Sequence, residues 1–221
     1  MENTVQPDPT VFVIFGAGGD LTWRKLIPAL YNLHVDGWLP EQWMVLGLDR
    51  GEMSEDKFRD HLNDGVNKNS RRGKVDKKSF KTFAQKLFFM KADFEDDKTF
   101  KNLAKRLGKI EKDWDTKTNK IFYLAVPPGL VENMARRLGN AKLNQNWQRS
   151  RIVVEKPFGS DLKSARKLNE TLTGTLNVYA HLMKSVNQEA ACRLENAIFE
   201  TSGSKMVAEK KKEAMANATT L

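Results

Sequence analysis

"VFVIFGAGGDLTWRKL", residues 11–26, decides the fold. Val11 to Phe15 form an apolar, β-rich run that predicts a buried strand, and from Thr22 to Val35 the residues Leu26, Ala29, Leu30 and Leu33 recur at helical spacing. Between them Gly16, Gly18 and Gly19 predict a tight turn. Strand, glycine turn and helix, in that order, let backbone N–H groups and a helix N-terminus approach a pyrophosphate. Counted from Gly16, however, the pattern G-x-G-x-x-G holds Leu21 at its last position. The residues alone leave two readings, a nucleotide cradle or a turn that only needs positive φ. Pro28 inside the helical pattern predicts loosened or kinked first turns.

The alternation continues outward. "WMVLGLD" (43–49) predicts a second strand, and Ser54 before Glu55 and Asp56 an N-cap with acids in the first turn of a helix to about Val66. A helix over 77–85 precedes "KLFFMKAD" (86–93), a third strand. Phe100, Leu103 and Leu107 share one face of an amphipathic helix over 97–112, and "KIFYLAVPP" (120–128) is a nearly continuous apolar run expected of a strand buried on both faces. Leu130, Val131, Met134 and Leu138 mark the next helix, "RIVVEKPFG" (151–159) the next strand, and "SDLKSARKLNETL" (160–172) a capped helix carrying Leu162, Ala165, Leu168 and Leu172. Such alternation predicts an α/β, Rossmann-like, doubly wound, mostly parallel sheet with helices on both faces. The tail "KMVAEKKKEAMANATTL" (205–221) reads as helical or frayed. The expected organisation is a disordered 1–10, a nucleotide-binding domain over 11–175, and a remnant with a helical tail over 176–221.

Composition narrows the function classes. Of 221 residues 40% are hydrophobic and 29% charged, the balance of a soluble protein with no membrane span. Residues 1–10 lack a secretory layout, so cytoplasm is expected. A single cysteine, Cys192, excludes an internal disulfide framework and a zinc pattern, and no metal is expected. The net charge of +9 favours anionic partners. Its densest stretch, "NKNSRRGKVDKKSFK" (67–81), lacks interleaved exposed aromatics and reads as a solvated basic loop, which makes nucleic acid an unlikely partner.

In an open parallel sheet, ligands sit beyond the carboxyl ends of the strands. There the chain places Gly16, Ala17, Gly18, Gly19, Asp20 and Leu21, then Asp49 and Arg50, then Ala125, Pro127 and Pro128, then Glu155 and Lys156. Asp49 and Arg50 conflict: an acid after strand two favours the ribose of NAD, an arginine the 2′-phosphate of NADP. As many as 33 positions separate Gly16 from Asp49, against an interval of about 20 in the dinucleotide fingerprint.

"GAGGDLTWRKLIPALYNLHVDGWLP", "IFYLAVPP" and "RIVVEKPFGSDL", in this order and spacing, resemble the coenzyme domain of glucose-6-phosphate dehydrogenases, particularly the bacterial ones. The resemblance covers residues 11 to about 172. It implies that Gly16, Gly19, Asp20 and Leu21, as G-x-x-G-D-L, bind the NADP pyrophosphate and that Arg50 holds the 2′-phosphate. Ala125, Pro127 and Pro128 would lie against ribose and nicotinamide, and Lys156 between substrate and cofactor. Gly18 departs from the family, which carries serine or threonine there, so a backbone contact to phosphate is expected in place of a hydroxyl.

The implied chemistry is hydride transfer from C1 of glucose 6-phosphate to NADP, giving 6-phosphogluconolactone in the oxidative pentose phosphate pathway. The substrate phosphate would be held by His181 and Lys184, although "NVYAHLMKSVNQ" lacks the family's Arg-Ile-Asp and spaces histidine and lysine by three instead of four. The family's general base belongs to a domain beyond Leu221, and His34 and His61 match no catalytic position. The chain alone is therefore expected to bind NADP weakly or moderately and to turn over glucose 6-phosphate very poorly or not at all. A non-catalytic NADP-binding module remains the alternative. Its oligomeric state stays open, because the family associates through the same absent domain.

Overall fold

The computed structural model describes residues 7–73, 75–146 and 148–155, and position 166. Five parallel strands form one sheet: β1 (Thr10–Phe15), β2 (Trp43–Asp49), β3 (Leu87–Lys91), β4 (Asn119–Leu124) and β5 (Ser150–Val154), in the order β3-β2-β1-β4-β5. The register pairs Val13 with Leu46 on one side and with Phe122 on the other. Strand order reverses between β1 and β4, which opens a crevice at their carboxyl ends.

Alternate side chains along the strands feed two cores, as a period of two requires. Val11, Val13 and Phe15 join Leu46, Leu48, Phe122 and Ile152 beneath α4 (Asp97–Asp113) and α5 (Pro128–Asn140). On the other face Ile14 and Val45 pack with α1 (Ile27–Val35), α2 (Glu55–Asn69) and α3 (Lys77–Ala84), through Ile27, Tyr31, Phe58, Leu62 and Phe83. Helices therefore cover both faces, as the alternation of elements predicts. Ser54 caps α2 by accepting from the Lys57 N–H at 3.3 Å, and α2 runs one turn past its expected end.

Pro28 has the effect expected of it, in a specific form. Residues Thr22–Leu26 make a π-helical turn closed by the Ile27 N–H on the Thr22 carbonyl, and α1 starts only then, with Pro28 in its first turn. Proline has no N–H to donate one turn back, so the wider turn settles where an α-helical bond is missing. The extra residue also shifts the helical phase. Ile27, Leu30 and Tyr31 are buried, whereas Ala29 and Leu33, assigned to that stripe by spacing, are exposed.

The basic stretch 67–81 is largely helical at both ends, lying in the last turn of α2 and the first turns of α3. Its middle is solvated as expected, with Arg71 and Arg72 both paired to Asp36. No helix among the described residues is long and apolar enough to cross a membrane. The expected helix over 160–172, the tail, the domain boundary at 175 and Cys192 lie outside the described residues, apart from position 166.

Candidate functional site

The crevice is built from the turn after β1. The Gly16 and Ala17 N–H groups both donate to the Leu48 carbonyl, at 2.9 and 3.1 Å, and the Gly19 N–H donates to the Gly16 carbonyl at 3.1 Å. Thr22, fully buried, adds its hydroxyl to the same carbonyl at 3.0 Å. Gly16 has φ +79°, and a Cβ there would stand 2.2 Å from the Ala125 carbonyl oxygen. Only glycine allows the ends of β1 and β4 to approach this closely.

Helical turns begin at Asp20, and the N-cap residue Leu21 makes no side-chain cap bond. Their first amides lack intrahelical acceptors, so the turn presents N–H groups and a partial positive charge to the crevice. Asp20 turns outward to an exposed ion pair with Arg24 at 2.9 Å. Leu21 is half-buried beside the turn.

Asp49 and Arg50 have different partners within the chain. The Asp49 carboxylate turns back to the chain, accepting from the Gly18 N–H at 2.8 Å through Oδ2 and from the Arg50 N–H at 2.7 Å through Oδ1. The Gly18 N–H, which the family resemblance would direct to phosphate, is thus donated to Asp49. The Arg50 side chain is exposed, with its guanidinium 5.6 Å from the centre of the Phe94 ring. Among the described residues no carboxylate pairs with it, so the cation is held by an aromatic face and remains open to an anion.

On the other wall, Ala125 is fastened by its N–H to the Phe15 carbonyl at 3.0 Å. Pro127 and Pro128 start α5, Pro128 at its first position, where a missing N–H costs nothing. Behind them the Tyr123 hydroxyl donates to Glu155 Oε1 at the carboxyl ends of β4 and β5. Burial and then the Glu155 carboxylate push the Tyr123 pKa up, so the phenol stays protonated as a donor. Tyr123, Phe94 and Thr22 carry no recognisable local pattern and are site neighbours that sequence reasoning missed.

Lys156, His181 and Lys184 lie outside the described residues. The two described histidines serve packing. His34 donates to or accepts from Thr82 Oγ1 at 3.1 Å and lies between Trp43 and Phe83, with its pKa lowered by burial and then by Lys86. His61 stacks 6.4 Å from Trp23. Among the described residues no cluster of three or more histidine, cysteine, aspartate or glutamate side chains could hold a metal ion.

Comparison with known proteins fits this geometry. Residues 13–181 match the family model described as "Glucose-6-phosphate dehydrogenase, NAD binding domain". The chain belongs to the glucose-6-phosphate dehydrogenase family. It is 33% identical over 207 residues to a glucose-6-phosphate 1-dehydrogenase of Chlamydia muridarum and 36% identical over 206 residues to one of Chlamydia pneumoniae. Each alignment covers 87% of this chain and 40% of the relative, so the chain spans about two fifths of the length of the curated relatives it matches. A solved glucose-6-phosphate dehydrogenase in complex with glucose-6-phosphate superposes with a TM-score of 0.67 at 28% identity, over 77% of this chain and 35% of that one. The Mycobacterium avium enzyme gives 0.66 at 29% identity, over 77% and 34%.

Proposed function

We propose that residues 11–175 form the coenzyme domain of a glucose-6-phosphate dehydrogenase and that the crevice at the ends of β1, β2 and β4 holds NADP in preference to NAD. The observation that carries this reading is the Arg50 guanidinium, exposed and without a carboxylate partner among the described residues, next in the chain to an acid already committed to the glycine turn.

The residues present suit a dinucleotide. Gly16, Ala17 and Gly19 provide a turn without side chains large enough to block a pyrophosphate, and the uncapped amides from Asp20 onward face it with the helix N-terminus. Leu21 is half-buried beside the turn. Arg50, stacked on Phe94, offers a planar fork of donors that suits a phosphate better than a hydroxyl. Ala125, Pro127 and Pro128 follow β4, with no N–H donor at either proline, and suit the ribose and nicotinamide.

When bound, the nicotinamide would supply the hydride acceptor for oxidation at C1 of glucose 6-phosphate. This chain's residues would hold and orient the reacting groups. Glu155, fixed by Tyr123, precedes Lys156, whose ammonium can donate to a sugar hydroxyl and a cofactor oxygen together. His181 and Lys184 are proposed ligands of the substrate phosphate.

The test is a titration of the full chain with NADP and NAD, followed by tryptophan fluorescence or calorimetry. Arg50→Ala is expected to weaken NADP about tenfold or more and NAD much less, as loss of a charge-assisted contact requires. Equal loss for both coenzymes would remove the 2′-phosphate assignment.

A further inference from the structure

Asp49 stands at the end of the second strand, where a dinucleotide-binding sheet usually keeps an acid for the adenosine ribose. Here both oxygens are engaged within the chain. Oδ2 accepts from Gly18, and Oδ1 from Arg50 and, at 3.4 Å, Gly51. One carboxylate thus ties the glycine turn after β1 to the backbone that carries Arg50. The other bonds of the turn, from Gly16, Ala17, Gly19 and Thr22, fasten its base to Leu48 and Gly16. Among the described residues, the bond from Gly18 alone secures its middle to a side chain outside it.

Gly18 has the complementary peculiarity. It is absent from the glycines with positive φ, so its backbone would accept a side chain. A Cβ at this position would lie 3.2 Å from Asp49 Oδ2 and 3.6 Å from Asp49 Cγ, with no other neighbour within 4 Å. Among the described residues only this carboxylate crowds a Cβ here, and it would have to give way by a few tenths of an ångström.

We propose that Asp49 is a positioning residue that braces the pyrophosphate turn instead of accepting the ribose hydroxyls, and that position 18 is glycine because Asp49 occupies the space its side chain would need. The inference rests on the dinucleotide reading above and deepens it. A brace and a ribose acceptor have different signatures. NAD and NADP share the pyrophosphate and differ at the ribose 2′ position, so a brace supports both equally, whereas a ribose acceptor favours NAD.

The experiment uses the full chain with Asp49→Ala, Gly18→Ala and the double substitution. Dissociation constants for NADP and NAD are measured by calorimetry, and melting midpoints without coenzyme. Asp49→Ala is expected to weaken both coenzymes by a similar factor, about tenfold, from loss of a charge-assisted bond. Gly18→Ala is expected to weaken both several-fold while Asp49 is present and to have no effect once it is alanine, with melting midpoints equally non-additive.

Selective loss of NAD in Asp49→Ala would overturn the proposal, as would a Gly18→Ala effect of the same size in both backgrounds. If the unaltered chain binds neither coenzyme, the dinucleotide reading fails by itself. The midpoints then still decide the coupling, and additive values would sink it. Asp49→Asn, which keeps the shape and one acceptor oxygen, serves where the alanine variant does not fold: it is expected to weaken both coenzymes by a similar, smaller factor and to leave the Gly18→Ala effect in place, and a selective loss of NAD would overturn the proposal.

Discussion

At the amino-terminal end of the sheet Glu111, in the last turn of α4, accepts from the Thr118 N–H at 3.1 Å and hydroxyl at 3.3 Å, from Lys120 at 2.6 Å and from Lys117 at 3.3 Å. At the carboxyl-terminal end Asp49 accepts from backbone N–H groups only, and no cation among the described residues pairs with it. Both acids tie a strand end to a neighbouring segment. The difference lies in where the positive charge goes. At the amino end the half-buried Lys120 neutralises the acid within the protein, with an outer bond from the exposed Lys117, which closes that end. At the carboxyl end the neighbouring cation, Arg50, leans on Phe94 and the helix N-terminus stays uncapped, so positive potential is left for an anion from outside.

The comparison breaks most severely if the open end does not depend on close approach. Gly16→Ala would combine a left-handed backbone with a Cβ 2.2 Å from the Ala125 carbonyl oxygen. Strain and overpacking together are expected to cost about 3 kcal/mol or more, read as a lower urea midpoint. Cofactor affinity should fall with it, because β1 and β4 must separate. A variant with unchanged stability would mean that the crevice is not built on this contact.

Next in size is the closed end. Burial alone would raise the Glu111 pKa, but the bonds from Lys120 and Thr118, the Lys120 charge and the bond from Lys117 outweigh it and bring it from 4.5 to about 2. The unfolded carboxyl protonates near its ordinary value, while the folded one stays ionised to lower pH. The stabilisation is therefore complete above pH 4.5 and is lost as pH falls through about 2. Glu111→Gln is expected to cost roughly 1–3 kcal/mol at neutral pH and to flatten the acid limb of a plot of unfolding free energy against pH. An unchanged acid limb would show that the cluster contributes no proton-linked stability.

The sequence makes the architecture legible because each strand of a doubly covered sheet must be a short apolar run and each covering helix must show a stripe. Runs such as Val11–Phe15 and Trp43–Asp49 meet that demand, and the described part of the chain follows them closely. The phase of the first helix was not legible, since Pro28 identifies a disturbed turn but not the added residue that rotates Leu33 outward. The glycine turn could be located by its place after the first strand. The work of Asp49 could not, because a bond to Gly18, 31 residues away, leaves no local periodicity. Glu111 and Lys120 were hidden for a related reason: charged residues on an amphipathic helix and a strand read as surface until the fold brings them together. Lys156, His181 and Lys184 rest on the resemblance alone.

The smallest expected effect separates the two lysines of the closed end. Lys120 has a side chain 16% exposed and lies 2.6 Å from Glu111, whereas Lys117 is 77% exposed at 3.3 Å. An exposed ammonium gains little from pairing, because water solvates it nearly as well and salt screens the remainder. Lys117→Ala is therefore expected to cost below about 0.5 kcal/mol, with the cost vanishing in high salt. Lys120→Ala should cost about 1–3 kcal/mol and resist salt, because it leaves a half-buried carboxylate short of its main donor. Urea titrations of both variants at low and high salt make the measurement. If the two lysines proved equivalent, net charge and not desolvated geometry would close this end, and the contrast with Asp49 would reduce to the presence of nearby cations.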